Sequence, residues 1–146
     1  MSAYFDTGVL LKSYVTEKDS AAADALILQS AAPVLFTHFH EIEMRTALRL
    51  KCGRKEITDA ELKGALRNLQ EGIDAGRLKK PAYDLPDVFH KAEELSAKYA
   101  AITPCRSLDI LHVAAAVVIG AKNFVTFDGR QASLATKAGL NVKSRT

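Results

Sequence analysis

Four carboxylates stand where an acid needs a reason. Asp6 closes the apolar run "AYFD", Glu43 lies in "EIEMRTAL", Asp109 in "RSLDILHVAAA", and Asp128 closes "NFVTFD". Burying a lone carboxylate costs several kcal/mol or forces it to take up a proton, so such an acid requires a partner, a cation or water. Gathered into one crevice, the four would repel and raise one another's pKa unless something positive neutralised them. A hard divalent cation does that: Mg2+ or Mn2+ prefers oxygen ligands, keeps several waters, and is held by one or two carboxylates plus substrate phosphate. It also activates water against a phosphodiester and stabilises charge on the leaving oxygen.

Each acid alone has a plainer explanation. Asp109 sits in the first turn of a helix, where the dipole favours negative charge. Asp6 and Asp128 occupy strand-to-helix turns, where Asp often bonds its own backbone. Glu43 is the exception. At ~100° per residue it shares a helix face with Phe39, Ile42, Thr46, Ala47 and Leu50, a face expected to meet the core. Glu41 falls on the other side with Arg45 and Arg49, where exposed ion pairs are ordinary.

The elements that must position these acids follow from local pattern. The runs Ala3 to Asp6, Val34 to Thr37 and Asn123 to Asp128 are predicted as buried strands. "TDAELKGALRNLQEGIDAG" predicts a helix opened by a Thr58/Glu61 capping box, with Leu62, Ala65, Leu66, Leu69 and Ile73 as its apolar stripe. Pro86 fits the first turn of a second helix carrying Val88, Ala92, Leu95 and Tyr99. "SLDILHVAAAVVIGA" predicts a third, apolar nearly all round and therefore buried, with Ser107 as N-cap and its end near Gly120. "LATKAGLNV" reads as a short helix, a Gly139 cap and a last strand. Strands alternating with helices predict an α/β fold: a mainly parallel central sheet flanked by helices, forming one domain over 1–146. In such sheets ligands bind at the carboxyl ends of strands, where Asp6 and Asp128 lie.

The 146 residues, 48% hydrophobic and 25% charged, suit a globular protein and exclude disordered or collagenous classes. Cys52 and Cys105 are too few for a disulfide scaffold and form no C-x-x-C pair, which predicts inert thiols in a reducing compartment. The longest apolar run, Val113 to Ala121, is far shorter than the ~20 residues a bilayer needs, and no secretory signal is visible. A cytoplasmic protein without a membrane partner is expected. The net charge of +3 permits a nucleic-acid partner without requiring one.

In order and spacing, "YFDTGVLLKSYV", "EIEMRTAL", "RSLDILHVAAA" and "NFVTFDGR" resemble the PIN-domain ribonucleases, particularly the VapC toxins of bacterial toxin–antitoxin pairs. The resemblance covers nearly the whole chain. It implies a Mg2+- or Mn2+-dependent endoribonuclease whose catalytic and metal-binding acids match Asp6, Glu43, Asp109 and Asp128. It further implies an RNA substrate, a homodimer, and a cognate antitoxin that covers the acidic pocket. Gly8 departs from the family, which more often has a small hydroxyl-bearing residue after the Asp-Thr pair. Thr7 and Thr126 remain as polar neighbours of the acids, and Thr7, Arg106, Thr126 and Arg130 are expected to contact the substrate, the two arginines at its backbone.

Other readings weigh less. Asp6-Thr7-Gly8 spells the motif of aspartic proteases, but those enzymes are built from strands and this chain reads mostly as helix. No acid follows Asp6 two positions later, as phosphoryl-aspartate sites of the haloacid-dehalogenase type require. His38, His40, His90 and His112 form no metal-ligand motif. His112, three residues after Asp109, is expected to make a structural hydrogen bond. "RLKCGRKE" (Arg49, Lys51, Arg54, Lys55) either binds phosphates or offsets a helix dipole. Two alternative functions stand beside the ribonuclease: a DNA-directed nuclease of the same chemistry, and a non-catalytic module binding an arginine-bearing peptide.

Overall fold

The structure, a computed structural model, describes residues 3–30 and 33–145. Its centre is a parallel ladder of three short strands, β1 (Ala3–Phe5), β4 (Asn123–Val125) and β5 (Asn141–Lys143), in the order β1-β4-β5. Tyr4 stands opposite Phe124 and Phe5 opposite Val125. A second parallel pair, β2 (Val34–Leu35) with β3 (Leu78–Lys79), lies on the other side of β1.

Side chains alternate across a strand, and here the alternation divides the interior. Tyr4 and Phe124 enter one core with α5 (Leu85–Tyr99), α6 (Ser107–Ile119) and α7 (Gly129–Lys137). Phe5 and Val125 enter a second core with α1 (Thr7–Leu11), α2 (Ser20–Gln29), α3 (His38–Gly53) and α4 (Asp59–Asp74). Helices therefore cover both faces of the sheet, which is what lets β1 and most of β4 be buried and apolar, while the edge strand β5 (Asn-Val-Lys) stays largely exposed. This is the mixed α/β architecture that the alternation of elements predicts.

The capping box of α4 forms as its sequence requires: Glu61 N–H donates to Thr58 Oγ1 at 3.1 Å, and Thr58 N–H to Glu61 Oε1 at 3.0 Å. Ala65 and Leu69 are the buried part of its stripe. Pro86 lies in the first turn of α5, which Asp84 caps by accepting from Asp87 N–H. Helix α6 ends at Gly120, whose φ of 87° is a left-handed conformation that a side chain would strain.

Two local expectations are corrected. The cap of α6 is Arg106, not Ser107: Arg106 has the extended backbone, and its carbonyl already accepts from Ile110 N–H at 3.1 Å. The face of α3 that meets the core is His40, Met44 and Leu48, whereas Ile42 and Leu50 are 61% and 50% exposed. Apolar residues lie on two arcs of α3, and only packing against α1 and α4 decides which arc is covered. Glu43 sits at the edge of the covered arc, half-buried. The elements α1, α2 and β3 carry no clear sequence signal, because they are short or, in α2, Ala-rich without a distinct apolar face.

Candidate active site

Asp6 follows β1 directly and caps α1. Its N–H donates to Val125 O at 2.8 Å, and its carboxylate accepts Gly8 N–H at 3.2 Å, so strand pairing and helix capping together fix it. Asp128, exposed, caps α7 by accepting the N–H groups of Arg130 at 2.8 Å and Gln131 at 3.1 Å. Asp109 is in the first turn of α6, where the backbone of the cap residue Arg106 works against the rise of its carboxyl pKa. Glu43 reaches from α3 across to α6, where its Oε1 lies 2.8 Å from His112 Nε2. Three of the acids thus also serve the helix starts that their sequence contexts suggested.

Glu43, Asp109 and Asp128 line one open cavity of about 400 Å³, with Cys105, Arg106 and Arg130 at its wall. Asp6 is close enough to feel Glu43 and Asp109. Burial raises the Asp6 carboxyl above its ordinary range. Glu43 and Asp109 add to that, against the opposing influence of His112 and a hydrogen bond from Gln131. Asp109 is likewise raised, by burial first and then by Asp128 and Glu43. Glu43 goes the other way: burial pushes it up, but the hydrogen bond and charge of His112, helped by Thr7, hold it below the usual range. Mutual repulsion therefore links the four acids into one group.

Behind the acids is a buried polar layer that sequence reasoning largely missed. Tyr4 Oη meets His112 Nδ1 at 2.7 Å, and Thr7 Oγ1 lies 3.2 Å from His112 Nε2. Burial, the largest influence on Tyr4, raises its hydroxyl well above the ordinary value, so it keeps its proton. His40 accepts Thr37 N–H on Nδ1 at 3.0 Å, which leaves Nε2 as the nitrogen that donates to the Phe5 carbonyl at 2.7 Å. That bond clamps the residue before Asp6. Gln131 Oε1 accepts from Thr126 Oγ1 at 2.8 Å, and its amide reaches the Asp109 carbonyl at 3.4 Å. The available signals were modest: His40 and Gln131 each fall in a first helical turn, and His112 is one turn deeper than Asp109 on the same face.

Two of the four expected substrate contacts are buried in this structure. Thr7 and Thr126 are sealed in the interior, hydrogen-bonded to His112 and to Gln131 and the Asp128 N–H, and support the acids from behind. Arg106 and Arg130 are exposed at the cavity mouth. At Gly8, an added Cβ would come 3.1 Å from Asp6 Oδ2, so the missing side chain leaves that oxygen its space. His112 makes the structural hydrogen bonds expected of it, with Glu43 rather than Asp109 as its acidic partner. Lys51 of the basic segment is paired with Glu17 and Glu56.

A parallel sheet covered by helices on both faces defines an α/β protein, and in such sheets ligands bind at the carboxyl ends of the strands, where Asp6 and Asp128 lie. The chain matches the PIN domain over residues 3–137, and it belongs to that family, whose members are generally metal-dependent nucleases. None of the curated proteins compared with it matches. Among the described residues no group of three or more His, Cys, Asp and Glu side chains forms a metal cage. The donor set nevertheless fits a hard cation that keeps its waters: the acids offer only oxygen, and Asp6 and Asp109 carry a repulsion that a positive charge would relieve. No helix among the described residues is long and apolar enough to cross a membrane.

Proposed function

We propose that the protein is a Mg2+- or Mn2+-dependent endoribonuclease and the toxin of a toxin–antitoxin pair, acting in the cytoplasm on RNA phosphodiesters. The single observation that carries this reading is that Glu43, Asp109 and Asp128 line one cavity in a PIN-domain chain whose Asp6 ends the neighbouring strand β1. Asp6, at the end of β1, and Asp109, on the cavity wall, would hold the metal, which would relieve the burial and repulsion of both carboxyls. Glu43 and Asp128 complete the site, directly or through water. A bound ion supplies an activated water and stabilises charge on the leaving oxygen. Arg106 and Arg130 bind the phosphates on either side of the reacting one and offset the repulsion between RNA and the acids.

The same crevice is where a cognate antitoxin silences the enzyme, its basic side chain taking the place of the cation. The exposed apolar residues Leu85, Phe89 and Ile102, around α5, support a homodimer. The deciding experiment maps cleavage of total cellular RNA with and without EDTA, alongside matched DNA substrates. EDTA-sensitive cuts confined to RNA are expected. Cleavage confined to DNA would move the assignment to the DNA-directed reading. No turnover with Mn2+ present, together with tight binding of an arginine-bearing peptide, would move it to the non-catalytic one.

A further inference from the structure

We propose that His112 is the positioning residue of this site: locked on one side by Tyr4, it presents its Nε2–H to Glu43 and holds that carboxylate on the crevice shared with Asp109. The inference rests on the functional reading above for its metal, and on geometry for everything else. His112 and Tyr4 are both fully buried, and each polar atom they bury has a partner.

The direction of the hydrogen bonds follows from what each group can do. An ionised carboxylate only accepts, so Nε2 must be the donor at 2.8 Å. Nδ1 is then free to accept the proton that Tyr4 retains, at 2.7 Å. Tyr4 thereby selects the tautomer that Glu43 needs. His112 is surrounded along α6 by Val113, Ala114, Ala115 and Ala116, all buried. A leucine would fill such a position without desolvating two nitrogens. Asp109 and His112 are also one turn apart on the same helix, so a single rigid element carries one acid and the holder of another. That arrangement fixes the spacing between Glu43 and Asp109 before any ligand arrives, which is the task of groups that orient ligating carboxylates.

The test compares His112→Leu, His112→Gln and Tyr4→Phe with the unaltered protein. Mn2+ binding is followed by calorimetry, turnover of an RNA oligonucleotide is divided into kcat and KM, and the metal-free imidazole 15N spectrum is recorded. His112→Leu is expected to weaken Mn2+ binding by about 10- to 100-fold and to lower kcat more than it changes KM. His112→Gln, which again offers an N–H to Glu43, restores most of the loss. Tyr4→Phe gives a mixed tautomer signal and an intermediate affinity. A folded His112→Leu protein with full Mn2+ affinity overturns the inference, as does equal impairment of the Leu and Gln variants. If His112→Leu does not fold, Tyr4→Phe decides: full affinity and an unchanged imidazole spectrum overturn it. Failure of the functional reading looks different, because Mn2+ would then bind the unaltered protein and Asp109→Asn alike. In that event the metal-free spectrum still decides, since Glu43→Gln must shift the His112 Nε2 signal if the two are bonded.

Discussion

Glu43 on α3 and His112 on α6 are 69 residues apart in sequence and meet at 2.8 Å, Oε1 to Nε2. The bond ties the two helices across the acid crevice and separates the acids into two kinds. Glu43 is held below its ordinary pKa by His112, while Asp6 and Asp109 are pushed above theirs, by burial first and then by the neighbouring acids. An acid cluster divided in this way has one member ready to accept and others in need of positive charge.

The strain on Asp6 is measurable as stability. Its folded pKa is raised, so the charged form costs stability at neutral pH and protonation recovers it as pH falls. Asp6→Asn keeps a capping side chain and removes the charge. The expected outcome in EDTA is a metal-free protein more stable by roughly 0.5–2 kcal/mol at neutral pH, with cleavage abolished. Urea unfolding at several pH values checks it: the difference from the unaltered protein should narrow as acid protonates Asp6. A destabilised variant, or one that still cleaves, contradicts the assignment.

Acid sensitivity should begin at His40. This histidine is buried, and burial first, then His112, lowers its pKa well below the ordinary value. The unfolded chain takes up a proton near pH ~6.5 and the folded chain does not, so stability is full above that pH and declines below it. A second loss follows below about pH 4.3, as Glu17 and Glu41 lose their lysine partners by protonation. Glu17 is lowered against burial by Lys51 and Lys12, and Glu41 mainly by Lys80. Unfolding free energies in EDTA from pH 8 to about 3.5 should show both phases, and His40→Gln should flatten the first.

Gly8 offers a test of the crowding around Asp6. A Cβ there meets Asp6 Oδ2 at 3.1 Å, so Gly8→Ala must displace the carboxylate by a few tenths of an ångström. Mn2+ affinity should fall by up to about tenfold while helix propensity keeps the fold at least as stable. Gly8→Ser should fall less, because its hydroxyl can bond the displaced carboxylate. Calorimetry beside thermal unfolding separates these effects, and unchanged Mn2+ affinity in Gly8→Ala would show that Asp6 is not a ligand in this rotamer.

The proposed role of Arg106 and Arg130, exposed beside the acids, is to bind phosphate. Arg106→Ala and Arg130→Ala should each weaken binding of a catalytically inert RNA and reduce the slope of log affinity against log salt by about one. Mn2+ affinity should stay as it was. Fluorescence anisotropy over a salt series reads this directly, and an unaltered slope removes that arginine from the interface.

Much of this was legible in the amino-acid sequence because it depends on neighbours along the chain. The strands ending near Asp6 and Asp128, the Thr58/Glu61 capping box, Pro86 in a first turn and Gly120 at a helix end are short-range effects of periodicity, capping and allowed backbone angles. The four acids could be chosen for the same reason, since each sits at a strand end, in a helix start or within an apolar pattern. Local pattern failed where two solutions were equally good locally. Ile42 and Leu50 could as well have been core as surface, and Ser107 could as well have capped as begun α6.

Tertiary structure alone decided which buried polar groups meet. A hydroxyl or an imidazole must be satisfied by some complementary atom, but nothing near Tyr4, His40, His112 or Gln131 in sequence says which atom that will be. Parallel pairing of β1 with β4 and the packing of α3 against α6 bring the partners in from far along the chain. The sequence determined that the chain would bury apolar strands with acids at their ends. The fold decided that Glu43 would be held by His112, because the cost of an unsatisfied buried donor is met by whatever acceptor the topology delivers.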